Sequence, residues 1–173
     1  MTVAVSVPVH TVIDSPVGAL TLVAEDAALT GIYFAIHRRR DRLPDFGELV
    51  SSSGLFGDAA RQLGEYFAGD RRVFDLPLAP RGDQFQQSVW AQLRQIPYGQ
   101  TRSYGDLAKA IGRPGAAQAV GAANGANPLS IVVPCHRVVG ADGSLTGYAG
   151  GLGRKRFLLE LERPAADVEG RLF

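Results

Sequence analysis

The chain contains a single cysteine, Cys135, followed directly by His136 and Arg137. A thiol with a pKa of about 8.5 is only a few per cent thiolate at neutral pH, so nucleophilic use needs a neighbouring base or positive charge. His136 is the nearest base. Pro134 fixes the backbone ahead of the thiol, and the segment lies between two apolar runs, Ile131-Val132-Val133 and Val138-Val139, which read as short buried strands. A His-Arg pair between apolar runs costs desolvation free energy unless its groups are paired or used. The plain alternatives are a buried structural thiol and a satisfied structural histidine. Neighbours on an extended chain point to opposite faces, so His136 would reach the thiol through a water or a bend. A histidine acting as base also needs an acceptor to orient it, and Asp106, Asp142, Glu160 and Glu162 are candidates that spacing does not rank. By type, Arg137 can pair with a carboxylate, bind phosphate or sit exposed.

One cysteine in 173 residues excludes an intramolecular disulfide and any zinc site built from several thiolates. With 46% hydrophobic and 20% charged residues the composition is that of a globular chain. No apolar run approaches the roughly 18 residues of a membrane span, and no export signal is evident, so a soluble, cytoplasmic protein is expected. The net charge of +1 conceals an asymmetry: residues 1–83 carry 8 basic and 11 acidic groups, residues 84–156 carry 8 basic and 2 acidic. Most of the basic residues are arginine, which forks onto phosphate oxygens, so the second half is suited to a polyanion or simply carries a solvated basic face.

The elements that must position these groups follow from periodicity. Val3, Val5, Val7 and Val9, then Leu20 and Leu22, then residues 31–36 form apolar runs separated by turn residues, which predicts an antiparallel strand meander. Phe56, Ala60, Leu63 and Phe67 predict a helix stopped by Gly69, and the charged run 38–45 reads as a solvated loop. Pro77, Pro80 and Gly82 interrupt both periodicities and mark a linker, giving domains at 1–80 and 81–163 and a tail at 164–173. Beyond it, Asp83 can cap a helix burying Phe85, Val89, Leu93 and Ile96, and Ser103 with Asp106 forms a capping-box pattern opening another. Gly112-Arg113-Pro114-Gly115 then turns the chain into a helix over 116–123, so the pair fits a helix-turn-helix. That second helix is almost bare of large side chains, which suits close packing on the core or entry into a nucleic-acid groove. Gln118 and Asn124 are its only base-reading candidates, so any DNA binding would carry little sequence preference. Residues 146–151 form a glycine-rich loop around Tyr148, and a last helix is expected to bury Phe157, Leu158 and Leu161.

These residues resemble the O6-alkylguanine-DNA alkyltransferase family. Residues 131–140, IVVPCHRVVG, look like its active-site signature, and Gly147-Tyr148-Ala149-Gly150-Gly151 and Glu162 follow at the family's spacing. The helix-turn-helix with Tyr104 and Asn127-Pro128 matches as well, and Asp14-Ser15-Pro16-Val17-Gly18-Ala19-Leu20 looks like the family's first hairpin. The resemblance implies an α/β (α+β) chain: a small antiparallel sheet with a helix, ribonuclease H-like, then a helix-turn-helix or winged-helix-like domain carrying the active site. It implies no cofactor and, as in members with one cysteine, no metal, and direct reversal of DNA damage by a monomer that binds duplex DNA in the minor groove, with clustering of molecules along the duplex left open. The protein would flip out O6-alkylguanine, with O4-alkylthymine a further candidate, and pass the alkyl group irreversibly to Cys135. His136 would act as base through a water, oriented by Glu162; Asn127 would brace the turn before the cysteine; Tyr104 would donate to the leaving base. Tyr148, Val138, Ala149 and Gly150 would line the base pocket, with the Val138 carbonyl accepting from the exocyclic amine. Gln118, Ala119, Ala122, Arg102, Arg113 and Arg137 would face DNA.

Two positions depart from that pattern. Gln118 stands where the family usually carries an arginine that fills the gap left by the flipped base, and Ala149 stands where some members have serine. Two rival readings follow from the residues alone: a cysteine hydrolase using Cys135 and His136, which would turn over, and a lesion-binding or regulatory module with an unreactive thiol.

Overall fold

Alternating apolar residues build the first sheet. In the computed structural model, which describes residues 6–35 and 43–164, strands β1 (Val9–Ile13), β2 (Leu20–Glu25) and β3 (Ala28–Phe34) pair antiparallel in succession. Asp26 and Ala27 both take left-handed backbone angles, the conformation that lets a two-residue turn follow the twist of its flanking strands. The expected meander is incomplete, because β4 (Glu48–Leu49) joins the far side of β1 in parallel, giving the order β3-β2-β1-β4. Two exposed residues carry no periodicity, so the sequence offered no sign of this strand. Val3, Val5, Ile36 and residues 38–42 of the charged run lie outside the described residues.

Helix α1 (Leu55–Phe67) buries Phe56, Ala59, Leu63 and Tyr66 in the same core as Leu20, Leu22, Leu29 and Ile32 of the sheet. Gly69 stops it with a φ of 82°. The following linker is not free. Pro77 O accepts from Leu29 N and Leu29 O accepts from Ala79 N, each at 2.8 Å, so the linker lies along β3. Farther along the same strand, Ile32 N donates to Pro128 O at 2.8 Å, from the second half of the chain.

The second half is helical. Asp83 and Gln86 form a reciprocal capping box at α2 (Gln84–Leu93), and Ser103 with Asp106 does the same at α3 (Tyr104–Ala110). Val89, Trp90 and Leu93 form the buried face of α2, and the Trp90 indole donates to Ala123 O at 2.9 Å, holding α4 (Ala117–Gly125) against it. Helices α3 and α4 form the expected helix-turn-helix. Arg102–Ser103 (β5) pairs in parallel with Val138–Val139 (β6), tying the start of α3 to the strand after the cysteine. In α5 (Leu152–Leu161) the expected inward face is only partly right: Leu158 is buried but Phe157 is 39% exposed, and Lys155 turns inward in its place. Positions 155, 158 and 162 share one side of the chain at helical spacing, and Phe157 falls about 100° away from Leu158.

Candidate active site

The thiol is set by two consecutive tight turns. Val132 N donates to Ser130 O at 2.9 Å across Ile131, whose φ of 74° is a left-handed value that β-branched residues rarely adopt. Cys135 N then donates to Val133 O at 2.8 Å across Pro134, at φ −82° and ψ 65°, the inverse γ-turn that the proline ring favours. These turns replace the buried strand expected over 131–133. Cys135–Arg137 follows as one turn of 3-10 helix, so the thiol and imidazole do not point to opposite faces as they would on a strand. Asn127 braces the approach: its amide donates to Val133 O at 2.8 Å and its oxygen accepts from Leu129 N at 3.0 Å. Asn124, on α4, donates to Cys135 O at 3.3 Å.

Of the four carboxylates open to His136 in the sequence, Glu162 is the one in contact. His136 Nε2 lies 2.7 Å from Glu162 Oε2, and both side chains are buried. Arg137 closes a fork on the same group, Nε to Oε1 at 2.7 Å and Nη2 to Oε2 at 3.1 Å, and its Nη1 donates to Ile96 O at 2.7 Å. Burial pushes the Glu162 carboxyl up, but the hydrogen bonds of His136 and Arg137, the charge of Arg137 and, at the low pH where Glu162 titrates, that of protonated His136 outweigh it and hold the group at about 2. An ionised carboxylate only accepts, so His136 Nε2 carries the hydrogen and Nδ1 keeps its lone pair. Nδ1 is buried with no hydrogen-bond partner among the described residues. Burial lowers the imidazolium pKa more than Glu162 raises it, so His136 rests neutral, as a base must. Burial likewise pushes the Cys135 thiol up, while Asn127 and the charge of Lys155 pull it back.

This geometry corrects the place of Arg137. It was expected on DNA; it is 6% exposed and spends its guanidinium on Glu162 and Ile96. Lys155 is buried as well, donating to Val138 O at 2.6 Å and Thr146 O at 3.2 Å. Two of the eight basic groups of residues 84–156 therefore face inward, so the surface there is less basic than the charge count implied. The Val138 carbonyl, expected to meet a base amine, already accepts from Lys155 and has one lone pair left.

The remaining candidates fall into two groups. Tyr104 hydrogen-bonds Thr146 Oγ1, joining the start of α3 to the glycine-rich loop. Tyr148 is buried in that loop, its ring edge-on to Phe34 at 5.6 Å. Gly150 is also buried, and a Cβ there would sit 2.7 Å from the Phe34 ring, so this glycine serves packing against β3. Ala149 is half-buried between them. Gln118, Ala119 and Ala122 project together from the exposed side of α4, while Val120, Ala123 and Asn124 face the core, so the bare helix has both a packed and an open face. Arg113 is exposed beside Phe85, and Arg102 is half-buried, its Nη1 on Thr101 O at 2.8 Å. Lys155 and Tyr66, whose hydroxyl donates to Glu162 Oε2 at 2.5 Å, were not foreseen from the sequence. A lysine within an arginine-rich stretch and a tyrosine in an amphipathic helix gave no local signal.

Known proteins match both halves of the chain. The family model for the 6-O-methylguanine DNA methyltransferase ribonuclease-like domain matches residues 9–80, and that for the DNA binding domain of the same proteins matches residues 84–164. The methylated-DNA--protein-cysteine methyltransferase of Mycobacterium tuberculosis is 51% identical over 161 residues, covering 93% of this chain and 96% of that protein. Its counterpart in Methanosarcina acetivorans is 48% identical over 153 residues, covering 88% and 97%. The crystal structure of Mycobacterium tuberculosis OGT in complex with DNA has a TM-score of 0.78 and 52% identity, covering 91% of this chain and 96% of that one.

Proposed function

The chain belongs to the 6-O-methylguanine DNA methyltransferase family, whose members reverse DNA damage directly by alkyl transfer to a protein cysteine, and we propose that here the acceptor is Cys135 and the substrate O6-alkylguanine in duplex DNA. The exposed side of α4, with Gln118, Ala119 and Ala122, lies against the minor groove, and Arg113 and Arg102 meet phosphates. The damaged base leaves the stack for the space bounded by Tyr104, Tyr148 and the Val138 carbonyl. Unstacking costs a few kcal/mol, which phosphate contacts offset. Only one molecule is needed at each lesion.

The Cys135 sulfur then attacks the alkyl carbon in line with the guanine oxygen. A carbon–sulfur bond forms, the carbon–oxygen bond breaks, and the base departs with the electron pair. The thiol proton passes through a water to His136 Nδ1, and the imidazolium so formed is stabilised by ionised Glu162. Tyr104, on the pocket side, donates toward a ring nitrogen as negative charge develops on the leaving base. The thioether has no easy exit, since water attacks it poorly, so each molecule acts once.

The observation that carries this reading is the pair of His136 Nε2 on Glu162 at 2.7 Å with Nδ1 left as a buried lone pair, one residue from the only thiol of the chain. Incubation with a duplex carrying O6-methylguanine, followed by intact-mass analysis, tests it. The expected result is a gain of one CH2 on Cys135, once per protein. Continued turnover would favour a cysteine hydrolase. Binding without mass gain, unaffected by Cys135→Ala, would favour a lesion-binding module.

A further inference from the structure

Glu162 Oε2 collects three donors, and one of them comes from the other half of the chain. His136 Nε2 and Arg137 Nη2 reach it from the cysteine turn, while the Tyr66 hydroxyl reaches it from α1, 96 residues away in sequence, at 2.5 Å. Tyr66 is fully buried, its ring edge-on to Phe67 and Tyr98 at 5.4 and 6.2 Å and tilted against Phe74 at 5.4 Å. Packed on several sides by rings, the phenol has its direction fixed. We infer that Tyr66 is a positioning residue of the transfer reaction: through its hydroxyl the N-terminal half holds the Glu162 carboxylate in place and sets how strongly that carboxylate supports the His136 imidazole.

Three physical points support this. First, burial and the adjacent carboxylate push the Tyr66 phenol far above its ordinary pKa, so it stays a neutral donor at every working pH. Second, a hydrogen bond from a phenol withdraws charge from Oε2, so the oxygen attracts the imidazole hydrogen less strongly than it would alone. Third, Arg137 anchors the carboxylate chiefly through Oε1, at 2.7 Å, leaving Oε2 to be located by His136, Tyr66 and the longer Arg137 contact. The other charged or titratable groups facing this cluster are Arg137, Lys155, Tyr98, Tyr148 and Cys135 itself. None of these occupies the position of the phenol.

The inference rests on the proposed alkyl transfer for its kinetic consequence and on geometry alone for its effect on His136. Tyr66→Phe keeps the packed ring and removes the donor. In single-turnover reactions with saturating O6-methylguanine duplex, transfer should slow about tenfold, because the lost alignment of the imidazole outweighs its greater basicity, a loss of the size seen when groups supporting a catalytic ligand are removed. Duplex affinity, measured on the Cys135→Ala protein with and without Tyr66→Phe, should not change. In that same cysteine-free background, which removes coupled titration with the thiol, the His136 imidazole is followed by NMR against pH. Its midpoint should rise in Tyr66→Phe, because the carboxylate is no longer shared with the phenol, and should fall with a fluorotyrosine at position 66, a stronger donor of the same shape. An unmoved His136 midpoint, or transfer within twofold of the parent protein, overturns the inference, as does a rate loss matched by an equal loss of affinity. Should Tyr66→Phe fail to fold, the fluorotyrosine protein decides by the same midpoint. Absence of transfer by the parent protein would instead count against the proposed function, and the NMR arm would stand apart from it.

Discussion

Replacing Arg137 by methionine separates a structural arginine from a DNA-binding one. The side chain makes two hydrogen bonds to Glu162, at 2.7 and 3.1 Å, and a third to Ile96 O at 2.7 Å, with only 8% of the side chain exposed. Methionine fills similar volume but leaves Glu162 a buried anion supported by His136 and Tyr66 alone. Breaking a buried pair from one side costs about 3–5 kcal/mol, because the remaining charge stays desolvated. The stranded carbonyl of Ile96 adds about 1 kcal/mol, so the net expectation is about 4–6 kcal/mol. Urea unfolding at pH 7 should show this as a lower midpoint at unchanged slope. Duplex binding, measured across a series of salt concentrations, should keep the slope of the parent, since a lost phosphate contact would reduce it by about 0.9. A stability change under about 1 kcal/mol, together with a salt slope reduced by one contact, would refute the assignment and return Arg137 to the DNA surface.

Glu162 also makes a prediction in pH. Its folded pKa of about 2 lies below the ordinary 4.5, so its contribution to stability is complete above pH 4.5 and is lost as the pH falls toward 2. The parent should lose about 3 kcal/mol over that window that Glu162→Gln, already destabilised at pH 7, does not lose; parallel acid profiles for the two proteins would contradict it. Gly150→Ala forces a methyl to within 2.7 Å of the Phe34 ring and should lower the melting temperature by the equivalent of about 1–3 kcal/mol, partly recovered by Phe34→Leu; an unchanged melt would show that the ring yields freely. Gln118→Arg should speed repair of duplex substrate more than of single strands, and an equal gain on both would argue against a gap-filling role for this exposed position of α4.

The parts of this protein that are local in sequence were legible there. Asp83 as a cap and Ser103 with Asp106 as a capping box announced their helices because such signals are complete within four residues. Cys135 and His136 stood out because polar groups set between apolar runs are costly to bury unless they are paired or reactive. The strand expected at 131–133 failed for a reason that periodicity does not register: two tight turns can carry the same apolar residues, and Ile131 adopts a backbone angle its side chain disfavours. Glu162 could be chosen from four carboxylates only through the resemblance, since its contact with His136 spans 26 residues. The inward turn of Lys155 was hidden because residue type alone assigns charges to the surface, whereas pairing of Arg137 with a carboxylate was one of three readings that its neighbours left open. Tyr66 lay farther still from any local signal, its role depending on how one half of the chain meets the other.

That meeting has a consequence for how the molecule comes apart. The outward edge of β3 is bonded at Leu29 by the linker and at Ile32 by Pro128, so the linker and the second half together cover a sheet edge of the first that would otherwise stand bare. Heating should therefore melt both halves in one calorimetric transition, with no separate loss of the helical part. A chain severed within residues 76–82 would expose that edge as a template for a second copy, and its fragments would tend to associate through strands before either regained the native arrangement.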